Sequence, residues 1–212
     1  MCSIIGSFNR EKIKQLAELN AYRGQHSHSV YVFDEDSYDV IYSHRGIGPL
    51  DLDQHELPAG YIVVHQQAPT TDNKDESSIH PAQIGKHLLW HNGIVKAEAI
   101  KCLQRKFNST VSWDTKLILL SMIYTDNVQD IDGTFSCLYY DCQRLVLFRN
   151  EISPLFYDHN GNISSTKFEK SLPLPPNVIW KFNPRHVIFD DCNNINMFAT
   201  VENPYFFMDD NK

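Results

Sequence analysis

The chain has 212 residues, a length that suits one large domain or two small ones. Hydrophobic residues make up 42% and charged residues 21%, which supports a packed core rather than a disordered chain. A formal charge of -7 argues against a nucleic-acid partner or an anionic membrane surface, and no apolar run approaches the ~18 residues of a membrane span.

The N-terminal stretch MCSIIGSFNREKIK turns charged after Ser7, which is not the pattern of a signal peptide. Five cysteines, an odd number with no CxxC pair, point to a reduced, cytoplasmic protein. Cys2 to Phe8 alternates as a first strand. Asn9 is placed to cap a helix over residues 10–21, with Ile13, Leu16 and Ala17 on one face. Ser29–Asp34 and Tyr38–His44 form a hairpin pattern across Glu35-Asp36-Ser37, and Tyr61–Gln66 is a further strand. The polar stretch from Gln66 to Lys86 reads as an extended loop, of the kind that often serves as a lid. Leu88–Trp90 reads as a short strand, after which the spacing predicts a helix from Gly93 to about Phe107 and a second, capped by Asp114, from Thr115 to Tyr124. Strands then return at Phe135–Tyr140, Leu145–Arg149, Leu155–Asp158, Asn162–Ser165, Val178–Phe182, His186–Phe189 and Met197–Val201, with Asn160-Gly161 as a turn signal. Hairpin-forming strands with helices to cover them define an α+β layered fold.

Cys2 is the first residue with a chemical reading. Trimming of Met1 by an aminopeptidase would leave a thiol and an α-amine on one residue. An α-amine ordinarily titrates near ~7.7–8.0, so it can take the thiol proton without a histidine. His91-Asn92-Gly93, expected at a strand-to-helix bend, offers a carboxamide and a backbone N–H, the donors that hold a tetrahedral oxyanion.

Several segments, in order, carry a family resemblance: Cys2-Ser3-Ile4-Ile5-Gly6; Tyr22-Arg23-Gly24 with Ser27; His80-Pro81; Leu88-Leu89-Trp90-His91-Asn92-Gly93-Ile94; Trp113-Asp114-Thr115; Gly133-Thr134-Phe135; Leu147-Phe148-Arg149-Asn150; Ser153-Pro154-Leu155-Phe156-Tyr157; and Ser164 to Glu169. Together they resemble the class II glutamine amidotransferase domain, the N-terminal-nucleophile type found in glucosamine-phosphate synthases, amidophosphoribosyltransferases and asparagine synthetases. The resemblance runs from residue 2 to about residue 190. It implies a four-layer αββα sandwich of two antiparallel sheets. It also implies Cys2 as nucleophile, Asn92 and Gly93 as oxyanion donors, Asp114 as the group that binds the substrate α-ammonium, and Arg23 beside the nucleophile, with no cofactor. Residues 2–212 then form a single amidotransferase domain. Because no acceptor motif remains on the chain, ammonia would pass to a synthase on another polypeptide.

The resemblance also exposes departures. The family carries an arginine for the substrate α-carboxylate on the segment that here reads Val64-His65-Gln66-Gln67-Ala68-Pro69-Thr70, and alignment on His65 and Thr70 puts Gln67 in its place. Residues 46 to 104 contain no arginine. Loss of such a charge-assisted pair costs roughly 1.5–3 kcal/mol. His26 stands where the family usually has Asp, and Lys116 where it often has Glu. Three outcomes fit: a weak-binding glutaminase, an amidohydrolase for a different amide, or a binding and assembly module. Eight of ten histidines fall between residues 26 and 91, and His26-x-His28 could chelate. His87 and His91, however, lie about 13 Å apart if on one strand, and no cysteine or carboxylate joins them at zinc-like spacing, so no metal is expected.

Overall fold

In each central strand, residues at odd and even positions enter two different cores, and that alternation builds the layers. The computed structural model describes residues 2–68, 78–129, 131–185, 188–189 and 196–200. The first sheet contains β1 (Ser3–Ser7), β2 (Ser27–Phe33), β3 (Val40–Ile47), β4 (Tyr61–Gln67), β9 (Phe156–Tyr157), β10 (Ile163–Ser164) and β11 (Leu172–Pro173), in the order β11-β9-β10-β1-β4-β2-β3. The second contains β5 (Ala82–Ile84), β6 (His87–Val95), β7 (Gly133–Tyr140), β8 (Leu145–Arg149), β12 (Val178–Asn183) and β13 (Ile188–Phe189), in the order β13-β12-β8-β7-β6-β5, with β14 (Asn196–Met197) also on β12. The strand pairs are antiparallel throughout.

Between the sheets lie Ile4, Tyr31, Phe33, Tyr61 and Val63 from one side and Leu88, Trp90, Leu138, Tyr140, Leu145 and Leu147 from the other. Their strand neighbours face outward. Ile5, Val30, Val32, Ile62 and Val64 meet Ile13, Leu16 and Ala17 of α1 (Arg10–Asn20). Leu89, Val95, Phe135, Cys137 and Phe148 meet Leu103 of α2 (Ala97–Lys106) and Leu117, Ile118 and Met122 of α3 (Asp114–Thr125). Each fully buried Leu, Ile or Phe contributes about 1.5–3 kcal/mol, so three cores hold four layers in the αββα order expected.

The Asn9 side chain accepts from Lys12 N at 3.1 Å, as its sequence position implies. The hairpin around residue 160 also forms, with Ile163 opposite Tyr157. Three expectations need correction. The segment after Trp90 does not turn helical at Gly93. It continues as β6 to Val95 because β7 pairs along its whole length, Gly93 opposite Phe135 and Val95 opposite Gly133. The helix begins only at Ala97, where Ala-Glu-Ala replaces β-branched residues. Asp114 is likewise the first residue of α3 rather than its cap; Trp113 precedes it, with no side-chain cap bond. The stretch read as a loop from Gln66 holds β5 and a cis His80–Pro81 peptide. His186, Val187 and Val201, at strand ends read from the sequence, lie outside the described residues.

Candidate active site

β1 and β6 face each other across the central layer, and the candidate residues at their ends share its parity. Cys2 stands two before Ile4, and Asn92 two after Trp90, so both side chains point between the sheets at one end. Cys2 is 7% exposed and Asn92 3%. The Cys2 backbone nitrogen donates to Asn92 Oδ1 at 3.2 Å. This fixes the carboxamide with its oxygen on the nitrogen that would become the α-amine. On the other side, Arg23 Nε donates to the Cys2 carbonyl at 2.9 Å, and Arg23 is only 7% exposed. A cation seated on that carbonyl pins the N-terminal turn. Arg23 Nη1 also reaches the Tyr22 hydroxyl, whose pKa is lowered by its hydrogen bond to Thr166 and then by Arg23.

Gly93 sits at φ +156°, and a side chain there would drive its Cβ into the Thr134 carbonyl oxygen. Close approach of β7 therefore demands glycine at this position.

Asp114 opens α3 with its carboxylate 21% exposed. Oδ1 accepts from Thr115 N at 2.7 Å, Oδ2 accepts from Val95 N at 3.3 Å, and His91 Nδ1 lies 3.8 Å from Oδ1. A carboxylate has about four lone-pair sites, so capacity remains for a cation. Gln67 occupies the β4 position that the Ser3–Gln66 pair extends toward Cys2. It is 2% exposed and caged: Nε2 donates to Ser78 O at 3.3 Å, while Oε1 accepts from His80 N at 3.4 Å and from His80 Nδ1 at 3.1 Å. Thr70 lies outside the described residues.

The sequence did not single out the network around Gln67. His80 Nε2 and His91 Nδ1 both reach Thr115 Oγ1, at 2.9 and 3.2 Å, and the His65 and His80 rings stack with centroids 4.2 Å apart. Ser27, opposite Gln67 on β2, is 2% exposed, and its Oγ has no hydrogen-bond partner among the described residues. Its strand parity with Ser29, which accepts from Trp90 Nε1 at 3.3 Å, turns it between the sheets on the same face as Cys2. The signal in the sequence was the position of Ser27 after Arg23-Gly24; only the fold shows that its hydroxyl is orphaned. Cys137 is also buried on β7, but burial, and then the Asp114 charge, push its thiol well above the ordinary range. Cys2, Cys102, Cys137 and Cys142 are free thiols. A cleft of about 470 Å³ lined by Phe8, Lys12, Asp158 and Lys170 opens at the far end of β1 and contains none of the residues above.

No protein-family model and no curated protein matches the chain. Solved structures do. Glutamine phosphoribosylpyrophosphate amidotransferase from B. subtilis superimposes with a TM-score of 0.68 at 16% identity, covering 92% of this chain and 50% of its own. The allosteric regulatory enzyme of purine biosynthesis gives 0.64 at 16% identity, covering 87% and 48%. A glutamine aminotransferase class-II domain protein from Silicibacter pomeroyi gives 0.52 at 11% identity, covering 94% and 100%. The chain thus has the fold of class II glutamine amidotransferase domains, the N-terminal-nucleophile hydrolase sandwich. It spans about half the length of the first two of these structures. Among the described residues, no helix is long and apolar enough to cross a membrane.

Proposed function

We propose that the chain is a class II glutamine amidotransferase domain that hydrolyses the glutamine side-chain amide through Cys2. The observation that carries this is the 3.2 Å contact between Cys2 N and Asn92 Oδ1, which joins nucleophile and oxyanion residue across two sheets. After Met1 is removed, the Cys2 α-amine takes the thiol proton and the thiolate attacks the carboxamide carbon. Asn92 Nδ2 and the Gly93 N–H hold the oxyanion of the tetrahedral intermediate. The ammonium of Cys2 returns its proton to the leaving nitrogen, and ammonia departs from a γ-glutamyl thioester. Water then attacks the thioester carbonyl, releasing glutamate and restoring the thiol. Asp114 takes the substrate α-ammonium, and Arg23 keeps Cys2 in register through its carbonyl. No cofactor takes part.

The α-carboxylate lacks its arginine. Gln67 is spent on Ser78 and His80, which leaves the orphaned Ser27 hydroxyl as the donor facing that place, with Thr70 as a further candidate. The ammonia goes to an acceptor on a separate synthase polypeptide, residues 2–212 act as one domain, and the free thiols suit a cytoplasmic setting. The cage around Gln67 favours a second substrate class as well: a small amide with no α-carboxylate. The test is release of glutamate and ammonia from glutamine by the purified chain and by Cys2→Ala, with side-chain amides lacking the α-carboxylate run in parallel. Turnover of glutamine that Cys2→Ala abolishes supports the first substrate, and turnover of the other amides alone supports the second. No turnover of either leaves an assembly module.

A further inference from the structure

A second cluster of histidines lies away from Cys2, on the α1 side of the first sheet. His28 on β2, His44 on β3 and His55, just after the single helical turn Leu52–Gln54, each place a ring nitrogen within 4.8 Å of the others. His28 and Val30 share a face, and Val30 is opposite His44, so His28 and His44 lie diagonally on that face. The residue directly across from His28 is Gly46. A Cβ added there would meet His28 Nε2 at 2.8 Å and His44 Nε2 at 3.0 Å, so both rings lean over the space a side chain would fill. His55 joins from the loop, its ring centroid 4.6 Å from that of His44.

We propose that His28, His44 and His55 form a three-imidazole site for a divalent metal ion of the zinc class, with the fourth position open to solvent beside the partly exposed His44. Three details support this beyond proximity. Both buried imidazoles are already oriented through their other nitrogen: His28 Nδ1 faces Gly48 O at 3.0 Å, and His55 Nδ1 faces Tyr42 OH at 2.8 Å. Ligating histidines are held in this way, because the outer partner fixes the tautomer and the ring angle. The spacing is also close. Zn–N bonds of about 2.0–2.1 Å at tetrahedral angles put ligand nitrogens about 3.3 Å apart, within reach by small rotations of the three rings. Finally, all three donors are imidazole, which suits zinc, nickel and copper and disfavours magnesium or calcium. Because β3 is the edge of its sheet, such an ion would clasp that edge to the segment leading into β4.

The test uses the purified full chain, stripped of metal and titrated with Zn²⁺ against a chromophoric chelator, then with Co²⁺ read by visible absorption. The proposal expects one ion per chain, a tetrahedral Co²⁺ spectrum and a rise in melting temperature on Zn²⁺ addition. His44→Ala, at a partly exposed position, should weaken binding by more than the roughly 10–100-fold typical of outer-shell changes and cancel the melting shift. His55→Gln should do the same if His44→Ala melts abnormally without metal. Cys2→Ala should bind as the wild type does. Failure of the folded wild type to bind, wild-type affinity in both histidine variants, or loss of binding in Cys2→Ala would each overturn the proposal.

Discussion

The Asn92 carboxamide oxygen of one sheet lies 3.2 Å from the Cys2 backbone nitrogen of the other, and both residues are nearly closed to solvent. In the proposed mechanism a single side chain thus orients the nitrogen that would act as base and presents its own N–H to the oxyanion. Asn92→Ala removes both functions. It should lower kcat for glutamate release by about 10²–10³, with the fold intact by circular dichroism. A change in KM alone would show that Asn92 only binds substrate.

Ser27→Ala separates binding from stability. The hydroxyl is buried and has no hydrogen-bond partner among the described residues, so removing it should leave the melting temperature unchanged or slightly raised. If Ser27 donates to the substrate α-carboxylate, KM for glutamine should rise roughly 10-fold or more, from the ~1.5–3 kcal/mol of a hydrogen bond to a charged group. Steady-state kinetics at matched pH decide this, and an unchanged KM would remove Ser27 from the site.

Gln67→Leu should have the opposite profile to Ser27→Ala. The substitution removes the Oε1 acceptor that the His80 N–H and Nδ1 groups now share, at about 1–3 kcal/mol. For a chain of this size that is a fall of about 2–4 °C in Tm for each kcal/mol. Gln67→Arg, which would supply the carboxylate anchor expected from the resemblance, must displace the same His80 contacts. A lower KM for glutamine should therefore come with a lower Tm, a pairing that a melt and a kinetic series measure together.

Gly93→Ala should fail to fold where Gly85→Ala succeeds. The added methyl at Gly93 collides with the Thr134 carbonyl, a backbone atom that cannot move without opening the β6–β7 ladder. At Gly85 the same methyl meets open space, and only the left-handed conformation at φ +60° costs energy, about 1–2 kcal/mol. Comparable melting temperatures for the two variants would contradict this.

The strands and an α+β class were legible in the sequence, but the αββα layering came only through the resemblance. Ile4 and Ile5, Val63 and Val64, and Leu147 and Phe148 are adjacent apolar pairs whose members enter different cores, so the sequence marks them as strand residues without saying which of each pair faces inward. The end of β6 was not legible. Gly93 looks like a helix opener locally, and only pairing with β7, about 40 residues later in the chain, keeps residues 93–95 extended. The placement of Cys2 beside Asn92 was available only through resemblance, since nothing local links residues 90 positions apart. The cage of Gln67 and the meeting of His28, His44 and His55 come from strand register and loop path, neither of which a single sequence encodes in a readable period.

The central claim is a mature N-terminal cysteine that attacks a glutamine carboxamide. Treatment of the native protein with a diazoketone analogue of glutamine, followed by peptide mass spectrometry, tests it most directly. The account predicts a chain that begins at Cys2, one adduct on that residue, protection by excess glutamine, and no labelling of Cys137, whose buried thiol stays protonated. Retention of Met1, or an unlabelled Cys2 in folded protein, would contradict it.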